Sequence, residues 1–272
     1  MTVDHRAARW RWLAGACLLA SLATLTGCAH RTDEGDGHGS ASSLQGESEA
    51  RRRARIRLEL AASYLQRGQP QVALEEVRQS LAADPGFADA YHLRGLALMA
   101  LGDLAQAEQS LRRAQELRPS DADILHNLGW LQCQRGQYEQ ADALFERALA
   151  TPTYGARSKT LMSQGLCFRN AGRPAQAEQA LLRAYEIDAG NPVIGYHLAS
   201  VMFARGEKER AQFYIRRVNN GEYGNAESLW LGLKIERALG EAVAMRQLAD
   251  QLRKRFPDAP QTRALDRGAF DE

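Results

Sequence analysis

Residues 88–121, ADAYHLRGLALMALGDLAQAEQSLRRAQELRPSD, decide the fold of this chain, because residues 122–155, ADILHNLGWLQCQRGQYEQADALFERALATPTYG, repeat their skeleton. Gly95 answers to Gly129, Gly102 to Gly136, Ala107 to Ala141 and Ala114 to Ala148. Outward from this pair the same register continues. Gly68, Gly102, Gly136, Gly172, Gly206 and Gly240 follow one another at steps of 34, 34, 36, 34 and 34 residues. A period of that length marks one supersecondary unit copied about six times, each copy burying its apolar face only against its neighbours.

Aligned on these glycines, other positions take on a physical sense. Seven residues earlier stand Ala61, Gly95, Gly129, Gly165 and Ala199, with Leu233 as the exception. Five residues later come Ala73, Ala107, Ala141, Ala177 and Ala211, then Met245. Small residues belong where a first helix, A, crosses a second, B, at close range. The periodic glycine suits the left-handed conformation that ends helix A. Pro85, Pro119, Pro152 and Pro257 stop helix B, since proline lacks the N–H that a continuing helix needs. The pattern resembles the tetratricopeptide repeat. That resemblance implies an all-α, right-handed superhelix of about six repeats over roughly residues 54–259.

The chain divides by composition into a lipoprotein signal segment at 1–27, a tether at 28–50, the array at 51–259 and a C-terminal tail at 260–272. Arg6, Arg9 and Arg11 precede an apolar stretch from Trp12 to Leu25 that is too short to span a bilayer comfortably. It ends in Leu25-Thr26-Gly27-Cys28, which resembles the bacterial lipobox. The resemblance implies that Cys28 is diacylated and becomes the first residue after cleavage; the alternative is an ordinary signal peptide with an incidental cysteine. Ala29, rather than Asp, follows Cys28, so the resemblance implies lipid anchoring at the periplasmic face of the outer membrane, made stable by two or three acyl chains. Residues 29–49 are rich in Gly, Ser, Asp and Glu and bury too little apolar surface to order themselves. With Cys17 removed and Cys28 acylated, Cys133 and Cys167 remain, in the A helices of adjacent copies. In an oxidising compartment they are a disulfide candidate, against the alternative of two separately buried thiols. Two such ligands with no His-x-x-x-His nearby do not make a metal site.

Hydrophobic residues at 44%, charged residues at 25% and a net charge of +2 are ordinary soluble values and carry no global nucleic-acid signal. The basic run Arg51, Arg52, Arg53, Arg55 and Arg57 reads as a solvated helix start or as a surface for anionic headgroups. Helical spacing turns the second, fifth, ninth and twelfth positions of each helix A to the inner face. The candidate groove is Leu58, Leu65, His92, Leu96, Met99, His126, Trp130, Met162 and Leu166. An apolar groove suits an amphipathic helix laid into it; the competing reading is a tight superhelix whose inner side chains pack on one another. His92 and His126 share a repeat position and should be neighbours. Glu75, Glu76, Glu108, Glu139 and Glu178 fall at solvent positions on helix B. The chain carries no Gly-x-Ser-x-Gly, P-loop or dinucleotide fingerprint. The reading is therefore a binding scaffold, without catalytic residues, cofactor, metal or small-molecule substrate.

One further resemblance narrows the role. Leu125-His126-Asn127-Leu128-Gly129-Trp130-Leu131-Gln132-Cys133, then Phe145-Glu146-Arg147-Ala148-Leu149 with Thr151-Pro152-Thr153-Tyr154, are similar to the type IV pilus biogenesis lipoproteins of the PilF/PilW pilotin family. Gly165-Leu166-Cys167, Ser228-Leu229-Trp230-Leu231-Gly232 and Phe256-Pro257 continue the likeness. Gln132 departs from it, and the tether is longer and more polar than the family would suggest. The resemblance implies a pilotin, a lipoprotein that binds the outer-membrane secretin of the type IV pilus and promotes its localisation and multimerisation. The alternative is a general envelope adaptor that docks cell-wall hydrolases or outer-membrane assembly machinery.

Overall fold

A computed structural model describes residues 48–270. The signal segment, Cys28 and nearly all of the tether lie outside the described residues. Those described form thirteen α-helices: α1 Glu49–Gln66, α2 Pro70–Ala83, α3 Ala88–Ala100, α4 Leu104–Leu117, α5 Ala122–Gln134, α6 Tyr138–Leu149, α7 Arg157–Asn170, α8 Pro174–Ile187, α9 Pro192–Ala204, α10 Lys208–Asn219, α11 Ala226–Leu239, α12 Ala242–Arg255 and α13 Pro260–Arg267. The odd-numbered helices from α1 to α11 are the A helices of six copies and the even-numbered ones are the B helices. The array begins at Glu49, two residues before its expected start, because the Ser48 hydroxyl accepts from the Arg51 N–H and caps the first turn. The segment expected as a tail contains α13, which packs on α11 and α12.

All six periodic glycines have positive φ, between 72° and 82°. Each reverses the chain after helix A at a conformation that costs other residues about 1–2 kcal/mol. Proline stands at the first helical position of α2, α8, α9 and α13, where its missing N–H removes no intrahelical bond.

The crossing of A and B explains the small residues. A Cβ built on Gly95 would lie 2.5 Å from Leu111 Cγ, one on Gly129 2.8 Å from Phe145 Cε1, and one on Gly165 2.7 Å from Leu181 Cγ. Leu111, Phe145 and Leu181 stand sixteen residues after their glycines and are fully buried. The same spacing pairs Ala61 with Val77 and Ala199 with Ile215, so a slightly larger residue on A meets a β-branched one on B. Copy six exchanges the sizes: Leu233 is large and its partner position holds Ala249, both buried in one cluster with Leu229 and Leu252. Packing fixes the summed volume at a crossing, not which helix supplies it.

Each A helix approaches the next A helix along its backbone, from α1–α3 through α9–α11, whereas among the described residues successive B helices meet through side chains, as where Tyr185 of α8 lies edge-on to Tyr214 of α10 with ring centroids 5.1 Å apart. The stack therefore closes more tightly on the A side, which is the inner one. The two extra residues of copy three form the loop 150–156. It folds Tyr154 inward against Ala122, Leu125 and Ala148.

Polar bonds stitch one copy to the next. Glu108 accepts from Gln132 Nε2 at 2.9 Å and pairs with Arg135, while Glu178 pairs with Arg205 at 2.6 Å and Arg210 at 2.7 Å. Glu178 was expected at a solvent position, yet it is 7% exposed. The reason is that the next copy brings two guanidinium groups over it. Glu75 and Glu139 are exposed, as their placement on the outer side requires.

Candidate functional site

The inner face of the A helices is the surface where copies display equivalent side chains side by side. Leu58 and Leu65 of α1 are half-buried against the cluster of Ala54, Ala61, Ala73 and Val77. Leu96 and Met99 of α3, Trp130 of α5, and Met162 and Leu166 of α7 are half-buried in the same way. Met99 packs on the cluster of Leu98, Ala107 and Leu111, and Met162 on that of Leu149, Leu161, Ala184 and Ile194. Trp130 rests on the cluster of Cys133, Ala141, Phe145 and Cys167.

Cys133 and Cys167 are joined as a disulfide between α5 and α7, with Cα atoms 5.7 Å apart at a sequence separation of 34. It ties adjacent A helices directly beneath the indole of Trp130.

The two histidines expected as groove neighbours lie near each other but differ in burial. His92 is half-buried, with its Nε2 2.6 Å from Asn127 Nδ2 on the next A helix. Burial is the main cause that holds its imidazole below the ordinary pKa, against the pull of Asp121, Asp123 and Asp89. His126 is only 3% exposed and does not belong to an open groove. Its Nδ1 lies 2.9 Å from Thr160 Oγ1, the same hydroxyl lies 2.9 Å from Tyr154 Oη, and its ring tilts against Phe145 at 5.9 Å. Burial, with Lys159 and His92 nearby, lowers its pKa to about 4. The cause of the difference is the two-residue insertion: it delivers Tyr154 onto Thr160, and that pair covers His126. A repeat alignment does not signal this, since Tyr154 lies in the inserted loop and the position of Thr160 is held by Ile56, Ala90, Ile124, Ile194 and Ser228 in the other copies.

Copy six differs again. Its fifth, ninth and twelfth positions are Trp230, Lys234 and Arg237, and the ring of Phe270 stacks on Trp230 with centroids 5.1 Å apart and planes at 17°. Phe270 could have been noticed in the sequence only as a large apolar residue in a polar tail.

Among the described residues no group of three or more His, Cys, Asp or Glu side chains is placed to hold a metal. No described helix is long and apolar enough to cross a membrane.

Comparison with known proteins agrees with this geometry. Models of the tetratricopeptide repeat match residues 86–153 and 126–192. The type IV pilus assembly protein PilF of Pseudomonas aeruginosa is 26% identical over 200 residues, covering 74% of this chain and 79% of that protein. The solved structure of Pseudomonas aeruginosa PilF superposes with a TM-score of 0.71 at 22% identity, over 81% of this chain and 100% of the other, a likeness of fold. The crystal structure of PilW, described as a widely conserved type IV pilus biogenesis factor, gives 0.72 at 28% identity, over 78% of this chain and 97% of the other. By sequence and by fold, the chain belongs to the PilF/PilW family of tetratricopeptide-repeat proteins of type IV pilus biogenesis.

Proposed function

We propose that this protein is a pilotin: a lipoprotein, anchored through Cys28 at the periplasmic face of the outer membrane, that binds the type IV pilus secretin and promotes its multimerisation there. The observation that carries the reading is the row of half-buried apolar side chains on the inner A face of copies one to four, in a chain of a pilus biogenesis family. Leu58, Leu65, Leu96, Met99, Trp130, Met162 and Leu166 offer anchors for the apolar stripe of an amphipathic secretin segment. The acyl anchor confines the array to the membrane surface, which raises the effective concentration of secretin subunits around it. Because the anchors are half-buried already, each contributes only the remaining part of the roughly 1–3 kcal/mol that full burial of a large apolar side chain supplies.

Deletion of the protein tests the role. Secretin multimers in outer-membrane fractions should collapse to monomers and surface pili should vanish; normal multimers and pili would instead favour a general envelope adaptor. Trp130→Ala tests the surface. It should weaken secretin binding by about tenfold, equivalent to ~1.4 kcal/mol, with the circular-dichroism spectrum unchanged. Unaltered affinity would remove the inner face of copy three from the interface.

A further inference from the structure

We infer that the inner face of copy six is a binding site for an aromatic residue followed by carboxylates, and that the segment after α13, seated through Phe270, is its resident occupant. The argument starts from what lines this face. In copies one to four the inner positions are mostly apolar, but in copy six they are Glu227 at the start of α11 and then one indole and two cations, Trp230, Lys234 and Arg237. Lys234 Nζ lies 5.8 Å from the Trp230 ring, and Arg237 Cζ lies 4.3 Å from the centre of the Phe270 ring. Phe270 is therefore held by a stacked indole and a guanidinium at once, the two groups that best complement an aromatic ring.

The chain is built to deliver that ring. Leu265 of α13 is buried among Leu229, Trp230, Leu233, Ala249 and Leu252. Arg253 of α12 pairs with Asp266 at 2.9 Å, and Thr262 Oγ1 donates to the Phe256 carbonyl at 2.6 Å, so α13 is fixed in direction. Gly268 then takes φ 68°, and the Ala269 N–H donates back to the Ala264 carbonyl at 2.9 Å. This left-handed cap turns the chain toward Trp230. Phe270 is followed in sequence by Asp271 and Glu272, opposite in sign to Lys234 and Arg237 and alike in sign to Glu227.

One half-buried ring on a rim is a displaceable seat. A partner segment of the same chemistry competes with Phe270 for the same indole and guanidinium, and its arrival would open copy six and lengthen the inner surface available to it. This site does not depend on the partner of copies one to four being a secretin.

The experiment is a titration of the protein with a fluorescent peptide of residues 264–272, ALDRGAFDE, blocked at both ends. Phe270→Ala should bind it saturably and at least tenfold more tightly than the parent chain. Adding Lys234→Glu and Arg237→Glu should abolish that binding. Asp271→Lys with Glu272→Lys, which keeps Phe270, should also bind the peptide more tightly than the parent, and it answers the question if Phe270→Ala melts early. Equal affinity of parent and variants, or binding that survives the two charge reversals, would overturn the inference. So would a parent chain that is dimeric and becomes monomeric in Phe270→Ala, because the occupant would then be a second copy.

Discussion

Replacing Gly129 by alanine isolates the packing rule on which the array depends. On propensity alone the change should help, since glycine inside a helix is worse than alanine by about 0.5–1 kcal/mol. The crossing reverses that sign. The new Cβ would stand 2.8 and 2.9 Å from two atoms of the Phe145 ring and 3.2 Å from the Ala141 carbonyl oxygen. Phe145 is fully buried beside the Cys133–Cys167 disulfide and the His126 ring, so it has no free volume to retreat into. Overpacking of this kind costs about 1–3 kcal/mol, and a rigid ring met on its edge belongs in the upper part of that range. The net expectation is a destabilisation of roughly 1–2 kcal/mol. Urea unfolding of the 48–270 region, followed by both far-ultraviolet dichroism and tryptophan emission, measures it. Copies one and five show the remedy, since Ala61 faces Val77 and Ala199 faces Ile215. Phe145→Ile should therefore lose less stability in the Gly129→Ala background than in the parent, a coupling of about 1 kcal/mol in a double-mutant cycle. A Gly129→Ala variant as stable as the parent, or more so, would refute the close-approach argument.

Three further outcomes follow from other parts of the structure. Replacing both Cys133 and Cys167 by serine should cost up to about 3–4 kcal/mol by the chain-entropy estimate for a cross-link over 34 residues, read as a lower denaturation midpoint; free thiols on labelling the untreated parent would remove the premise. His126 supplies a pH dependence. Its folded pKa, about 4, lies below the ordinary 6.5, so the unfolded chain binds its proton first. The stability it confers is present above about pH 6.5 and is lost as pH falls toward 4, on the order of 2–3 kcal/mol, and His126→Gln should flatten the stability–pH curve over that interval. Arg216→Met should destabilise copies five and six by about 1–3 kcal/mol, because Glu236, 1% exposed, accepts from the half-exposed Arg216 at 2.7 and 2.9 Å and would keep only the Gln212 amide, at 2.8 Å, as its partner. Adding Glu236→Gln should recover part of the loss, and a thermal melt resolves both changes.

The periodic glycines, the small residues before them and the prolines after helix B were legible in the sequence because each answers a local steric demand that every copy repeats. Helix ends, the left-handed turns and the A–B crossings follow from such demands without knowledge of the rest of the chain. The half-buried inner residues of copies one to four were legible for the same reason, since helical spacing alone assigns them to one face. What escaped was everything decided by one copy meeting an irregular neighbour. His126 leaves the open face only because Tyr154, brought by a two-residue insertion, closes over Thr160. Glu178 is buried only because Arg205 and Arg210 arrive from the next copy. Leu233 is no defect, because Ala249 on the other helix surrenders the volume. Phe270 reaches Trp230 only because Gly268 turns the chain after α13. Sequence by itself determined the repeat, its register and its family, since these depend on residues whose partners stand at fixed offsets. Tertiary structure decided which inner side chains stay accessible and which are covered, because accessibility depends on groups far apart in the chain that only packing brings together.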